Sequence, residues 1–217
     1  MPERLRFHFD PVCPWCYITS KWVRRLEELG AAELDWAIFS LELANLDDQE
    51  LSRSKGHSQS GPALRTVMTI RDAAGGKAVG RFYEHLGRRV HELGEAVDHP
   101  DTIVGALGDA ALDPGLYDKA LVDESTWEAV RREHLDLVER TRSFGVPTIV
   151  LDGGEGPAIF GPVISEVPSD EDAVELLRHV AWLARYEDFS ELKRDRTTMP
   201  DLESVRRFQE RQAAGDS

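Results

Sequence analysis

Both cysteines of the chain stand three positions apart, in Cys13-Pro14-Trp15-Cys16, at the place where the apolar pattern changes period. Leu5, Phe7 and Phe9 alternate with Arg6 and His8, the two-residue repeat of a short strand. From Cys16 onward Ile18, Trp22, Val23, Leu26 and Leu29 recur at three-to-four spacing and Gly30 follows, which predicts an amphipathic helix with a glycine stop. Glu33 to Leu41 reads as a second strand. Strand, helix and strand in this order make a βαβ unit, whose strands lie parallel with a right-handed crossover. The two thiols therefore sit where a strand hands over to a helix.

That position favours redox chemistry. Free N–H groups and the helix dipole stabilise a thiolate at Cys13, and pairs of this kind have thiolate pKa values from about 3.5 to 7. Pro14 suits the first helical turn, where its missing N–H costs no hydrogen bond. Cys16, one turn on, faces Cys13 and can close a short disulfide, so Cys13 is the candidate nucleophile and Cys16 the resolving thiol. A structural zinc site wants four Cys or His ligands, commonly in two clusters. The chain has one Cys pair and seven scattered histidines, so no metal is expected. A coincidental pair of buried thiols is the remaining alternative.

Downstream, Ser52 to Gly61 is polar and reads as a loop. Between Pro62 and Arg142 the pattern turns helical, and Gly75-Gly76, Gly94 and Asp113-Pro114-Gly115 divide it into three or four segments. Ser125 to Glu128 fits a capping box. Thr148 to Leu151 is a strand, Gly153 to Gly156 a turn, and Ala158 to Phe160 the strand's hairpin partner. Ser169 to Tyr186 is a final helix with acid in its first turn. The mixed-charge end from Glu187 to Ser217 carries no assignable pattern. Pro147 precedes a strand, where a cis peptide would turn the backbone of Val146 and Thr148 towards the cysteines and offer main-chain contacts to an extended substrate.

A chain of 217 residues suits one domain carrying a large insertion. Its 26 basic and 40 acidic side chains give a formal charge of −14, the wrong sign for displacing counterions from nucleic acid. The apolar runs fall far short of the roughly 20 residues a spanning helix needs. No basic segment followed by an apolar one opens the chain, so a cytoplasmic protein is expected. In a reducing compartment a Cys pair is more often catalytic than structural.

The CxxC at the first helix, the proline before the third strand and the helical block between strands resemble the DsbA superfamily of the thioredoxin fold. The implied fold is an α/β, thioredoxin-like domain (1–61 and 143–190) with an all-helical insertion (62–142), followed by a C-terminal extension (191–217). The resemblance runs from Phe7 to about Thr198. More narrowly, FDPVCPWCYITSKW (Phe9 to Trp22), SLELAN (Ser40 to Asn45), FGPVISEVP (Phe160 to Pro168) and FSELKRDRT (Phe189 to Thr197) look like actinobacterial mycothiol-dependent reductases, some described as nitroreductases.

The resemblance implies a thiol-disulfide reductase in which Cys13 exchanges with mycothiol as a co-substrate, with no tightly bound cofactor, and which reduces disulfides, oxidants or nitro-aromatic compounds. Cys13, Cys16 and Pro147 would carry the chemistry, and Pro14, Trp15, Asn45, Val146 and Thr148 would bind substrate or thiol. A regenerating redoxin and a homodimer are admissible partners that no residue pattern specifies. A competing family, the 2-hydroxychromene-2-carboxylate isomerases and kappa-class glutathione transferases, shares the fold but typically places Ser where this chain has Cys13. A third reading is a redox-sensing or chaperone-like binding module.

Asp10, three positions before Cys13, is expected to cap the loop or to relay protons. Trp15 is expected on the surface as part of a substrate platform. His91 and His134 are expected as surface or boundary histidines, with proton shuttling as the alternative. The Lys193-Arg194-Asp195-Arg196 run reads as a solvated face that can also attract an anionic thiol.

Overall fold

The computed structural model describes residues 1–46, 54–57 and 59–215. Strand β1 (Glu3–Phe9) pairs in parallel with β2 (Ala32–Ile38), with Phe7 opposite Trp36, and helix α1 (Pro14–Glu28) makes the crossover. β3 (Thr148–Val150) runs antiparallel to β1, and β4 (Ala158–Phe160) antiparallel to β3, giving the order β2-β1-β3-β4. The expected βαβ unit and hairpin are both present. The second strand is shorter than its predicted span, because Ser40 turns to cap a short helix α2 (Leu41–Ala44), accepting the Leu43 N–H on its hydroxyl.

The period-two pattern of β1 separates two faces. Leu5, Phe7 and Phe9 are fully buried and Phe7 and Phe9 meet the Trp36 ring edge-on. Arg6 and His8 point the other way, into a polar cleft of about 280 Å³ that Glu133, Asp136 and Arg140 help to line. Within that cleft Arg6 pairs with Asp35, Arg71 with Glu133 and Arg140 with Asp136, so its cations are internally neutralised.

Between α2 and β3 the described residues form five α-helices rather than three or four. They are α3 (Gly61–Ala74), α4 (Gly76–Gly87), α5 (Pro100–Asp109), α6 (Gly115–Val122) and α7 (Ser125–Thr141), and α4 runs on into a π-helical turn, Arg88–Glu92. Of the loop expected from Ser52 to Gly61, Ser52, Arg53 and Ser58 lie outside the described residues, and Gly61 already opens α3. The capping box at Ser125 does not form. Ser125 is inside the helix, and its N–H is taken by Asp123 Oδ1 at 2.9 Å. Helix α8 (Asp170–Arg185) starts as expected, with the Ser169 hydroxyl accepting the Asp172 N–H, and packs on α1 through a Trp22 Nε1–H bond to the Ala173 carbonyl.

The unassigned C-terminal stretch contains a last helix, α9 (Glu203–Ala214). Leu202 and Val205 bury against Tyr17 and Ile18 of α1, and Arg207 reaches the Gly94 carbonyl at 2.7 Å. The chain end thus returns to the helix that carries the cysteines.

Candidate active site

Cys13 is the N-cap of α1, in extended backbone conformation, and its sulfur accepts the Cys16 N–H at 3.3 Å. Its own N–H bonds the Asp10 carbonyl at 3.0 Å, closing the turn that joins β1 to the helix. Cys13 is 6% exposed and Cys16 is fully buried. The two thiols are unbridged. A hydrogen bond from the Cys16 thiol, helped by the Cys16 N–H, holds the Cys13 thiol below the ordinary cysteine range. Burial, together with that same contact, pushes the Cys16 thiol well up. One sulfur is set to ionise and its neighbour to keep its proton, which is the polarity expected of an attacking and a resolving thiol.

The carbonyl of Val146 lies 3.7 Å from Cys13 Sγ, across the site from α1. The Val146–Pro147 peptide is cis, as is Gly161–Pro162 just after β4, the latter without warning from the sequence. Thr148 is buried and its hydroxyl donates to the Gly145 carbonyl, so of the predicted trio it is the Val146 carbonyl that meets the sulfur.

Asp10 is fully buried beneath this loop. Its carboxylate accepts the Val12 N–H at 3.0 Å and the Leu41 N–H at 2.7 Å, tying the cysteine turn to α2. Burial raises its pKa to about 6, against the opposing pull of these bonds. Its negative charge works against the Cys13 thiolate.

Pro14 and Trp15 are half-buried, so Trp15 is less open than expected. The Arg196 guanidinium stands over the Trp15 ring, 5.3 Å from its centroid, which brings one cation of the Lys193–Arg196 run to the dithiol loop. Asn45 ends α2 as its C-cap, and its amide donates to the Leu41 carbonyl at 2.7 Å. It serves its own turn.

The histidines are corrected from surface to core. His91 and His134 are buried, each with its pKa lowered to about 4 chiefly by burial. His91 Nε2 lies 2.9 Å from the Pro11 carbonyl, which can only accept, so Nε2 carries the proton and Nδ1 receives the Ser204 hydroxyl at 2.9 Å. The ring is fully used as a brace between the cysteine loop and α9. His134 Nδ1 accepts the Ser40 N–H.

Sequence reasoning missed Tyr83, a fully buried residue of α4 stacked on Phe9 with ring centroids 3.7 Å apart. Val79, Phe82, Tyr83 and Leu86 follow the apolar stripe of α4, so nothing in the pattern separates this tyrosine from core packing. No cluster of three or more metal-ligating side chains occurs among the described residues. No helix among them is long and apolar enough to cross a membrane.

This sheet interrupted by a helical block, with the dithiol at the start of its first helix, matches the DsbA-like thioredoxin fold. The chain belongs to the Rv2466c-like family, described as mycothiol-dependent nitroreductase Rv2466c, whose model matches residues 12–194. It is 30% identical over 191 residues to Rv2286c of Mycobacterium tuberculosis, covering 88% of this chain and 81% of that protein. Among solved structures it resembles a 2-hydroxychromene-2-carboxylate isomerase (TM-score 0.58, 17% identity, covering 84% of this chain and 96% of that one). It also resembles the cytosolic disulfide reductase DsbM from Pseudomonas aeruginosa (TM-score 0.57, 17% identity, covering 83% of this chain and all of that one). At these identities the two structures speak for the fold alone.

Proposed function

We propose that this protein is a cytoplasmic thiol-disulfide reductase that draws its electrons from mycothiol. The observation that carries the reading is the geometry of the dithiol, with Cys13 capping α1, its sulfur accepting the Cys16 N–H at 3.3 Å and lying 3.7 Å from the Val146 carbonyl, and Cys16 fully buried behind it. Cys13 thiolate attacks an oxidised sulfur of the substrate, forms a mixed disulfide and releases the leaving thiolate. Cys16, or mycothiol itself, then attacks Cys13 Sγ, freeing the second half of the substrate. Two equivalents of mycothiol reduce the resulting disulfide and leave as mycothiol disulfide, which an external redoxin or reductase recycles. A nitro-aromatic compound is reduced to the nitroso compound and water by the same two electrons and two protons. The Val146 carbonyl beside Cys13 and the Trp15 surface with Arg196 frame the substrate.

In this reading the thioredoxin-like part (1–61 and 143–190) holds the dithiol, the helical insertion (62–142) covers it and the extension (191–217) braces it. The test is turnover of a low-molecular-weight disulfide, a peroxide and a nitro-aromatic compound with mycothiol as the sole reductant. Cys13→Ser abolishes turnover, and Cys16→Ser retains only what mycothiol can resolve. Full activity in both variants, with mycothiol bound noncovalently, would overturn the reading in favour of an isomerase or transferase.

A further inference from the structure

The second face of the sheet carries a cleft that the dithiol does not use. Helix α1 and Trp36 lie together on the Phe7 and Phe9 face, with the Arg24 guanidinium over the Trp36 ring at 4.1 Å. His8 points to the opposite face, into the polar cleft of about 280 Å³ beside α7. The residue is only 5% exposed. Its Nδ1 lies 3.2 Å from the Ile38 carbonyl, which can only accept, so Nδ1 carries the proton and Nε2 is a bare acceptor. Burial is the largest influence on the ring and lowers its pKa to about 4, so His8 stays neutral in neutral solution.

Nε2 has no hydrogen-bond partner among the described residues. The fully enclosed side-chain atoms without a partner are Glu42 Oε2, Ser60 Oγ and the Tyr83 hydroxyl, whereas His8 Nε2 opens onto the cleft.

The walls around it are fixed. Arg6 Nε donates to Asp35 Oδ2 at 2.7 Å, and a Cβ at Gly154 would stand 2.6 Å from Arg6 Cζ, so this guanidinium is seated against bare backbone. Arg140 is held by Asp136 at 3.2 Å and by the Gly154 carbonyl at 2.8 Å. Arg6 Nη1 and Nη2 and Asp35 Oδ1 make no hydrogen bond within the protein among the described residues. Donors, a carboxylate acceptor and the bare imidazole nitrogen therefore share one space, and side chains already held in place lose little entropy when a ligand arrives.

Charge decides the ligand class. Each cation is paired already, Arg6 with Asp35, Arg71 with Glu133 and Arg140 with Asp136. An anion would be set against three carboxylates and the Nε2 lone pair, and a cation against three guanidiniums. A hydroxyl meets neither conflict, because it donates its hydrogen to a nitrogen or carboxylate and accepts from a guanidinium on its oxygen. Adjacent hydroxyls on one ring repeat that pair of roles. The volume lies at the small end of ligand pockets and admits a single ring.

We propose that this cleft binds a small neutral polyol, the size of one sugar ring, with His8 Nε2 accepting a hydroxyl hydrogen and the Arg6–Asp35 pair engaging the neighbouring hydroxyl. The site goes beyond the reductase reading, since neither cysteine lines it.

The test follows the His8 Nε2 resonance of the full chain, labelled with nitrogen-15 histidine, at neutral pH. Glucose and xylose are the polyol probes, and inorganic sulfate and putrescine the charged ones. The expected result is a saturable shift with a polyol and none with either ion. His8→Asn keeps a donor to the Ile38 carbonyl through its amide nitrogen and removes Nε2, and its affinity by calorimetry falls about five- to tenfold, the worth of one neutral hydrogen bond. Should that core variant not fold, Arg6→Gln, at a half-buried position, is expected to lose affinity by a similar factor. A shift with sulfate or putrescine and none with a polyol, or no shift with any of the four, overturns the assignment. Polyol binding that is unchanged in the folded variants overturns it as well. None of these outcomes touches the reductase reading, because the readout involves no turnover.

Discussion

The peptide N–H of Cys16 points at the sulfur of Cys13 from 3.3 Å, so the second cysteine of the motif solvates the first with its backbone as well as its thiol. Cys13 is both the cap of α1 and the group that α1 activates. The helix start and the nucleophile are one structural feature, because the free N–H that a cap must satisfy is the N–H that lowers the thiol.

In the reduced protein, alkylation by iodoacetamide is expected at Cys13 alone under native conditions, with a pH midpoint below the roughly 8.5 of a free cysteine. Cys16 labels only after unfolding. Peptide mapping across a pH series checks this, and equal labelling of both thiols in the folded protein would contradict it.

Acid is expected to weaken the fold before it touches the surface carboxylates. His8, His91 and His134 are buried with pKa values lowered to about 4. A histidine held neutral in the folded state contributes its full stability above the unfolded value near 6.5 and loses it as pH falls from 6.5 towards 4, at about 1.4 kcal/mol per pH unit each. Asp10 runs the other way. Its raised value, about 6, means that ionising it costs stability as pH rises from about 4 to 6, but it is one group against three. Urea unfolding at about pH 7 and about pH 5 should therefore differ by several kcal/mol in favour of pH 7. A flat profile would mean that these rings are not buried neutral.

Two glycines in helices should answer oppositely to the same change. At Gly80 an added methyl meets Trp36, and Gly80→Ala is expected to cost about 1–3 kcal/mol through overpacking. At Gly108 a Cβ meets nothing within 4 Å, and Gly108→Ala is expected to add about 0.5–1 kcal/mol by restricting the unfolded chain. Denaturant midpoints for the pair check the close seating of α4 on the sheet.

The return of the chain end to α1 rests on a small apolar cluster of Tyr17, Ile18, Leu202 and Val205. Leu202→Ala should cost about 2 kcal/mol and open α9 to limited proteolysis. Unchanged protease resistance would show that the Arg207 bond to the Gly94 carbonyl and the His91–Ser204 bond suffice to hold it.

The sequence made the central part of this fold legible where pattern and burial agree. Leu5, Phe7 and Phe9 alternate because one face of β1 is buried, and the period shifts at Cys16 because α1 lies on the sheet. Cys13, Cys16 and the Val146 carbonyl were placed together from motif spacing and the resemblance, and they lie together. Helix α9 was missed because it buries only Val205 along an otherwise charged surface, too little for a periodic signal. The capping box failed because Asp123, two residues upstream, competes for the same N–H. His91 read as a boundary residue because only the fold brings Pro11 and Ser204 to its two nitrogens. Tyr83 was invisible, since a tyrosine on an apolar stripe looks the same whether or not its hydroxyl finds a partner.

The most direct test of the account is mass spectrometry of the Cys16→Ser protein after mixing with mycothiol disulfide and, separately, with glutathione disulfide. The account predicts a single mixed disulfide on Cys13, formed rapidly with mycothiol and slowly or not at all with glutathione. No adduct from either, while reduced mycothiol still binds, would contradict it.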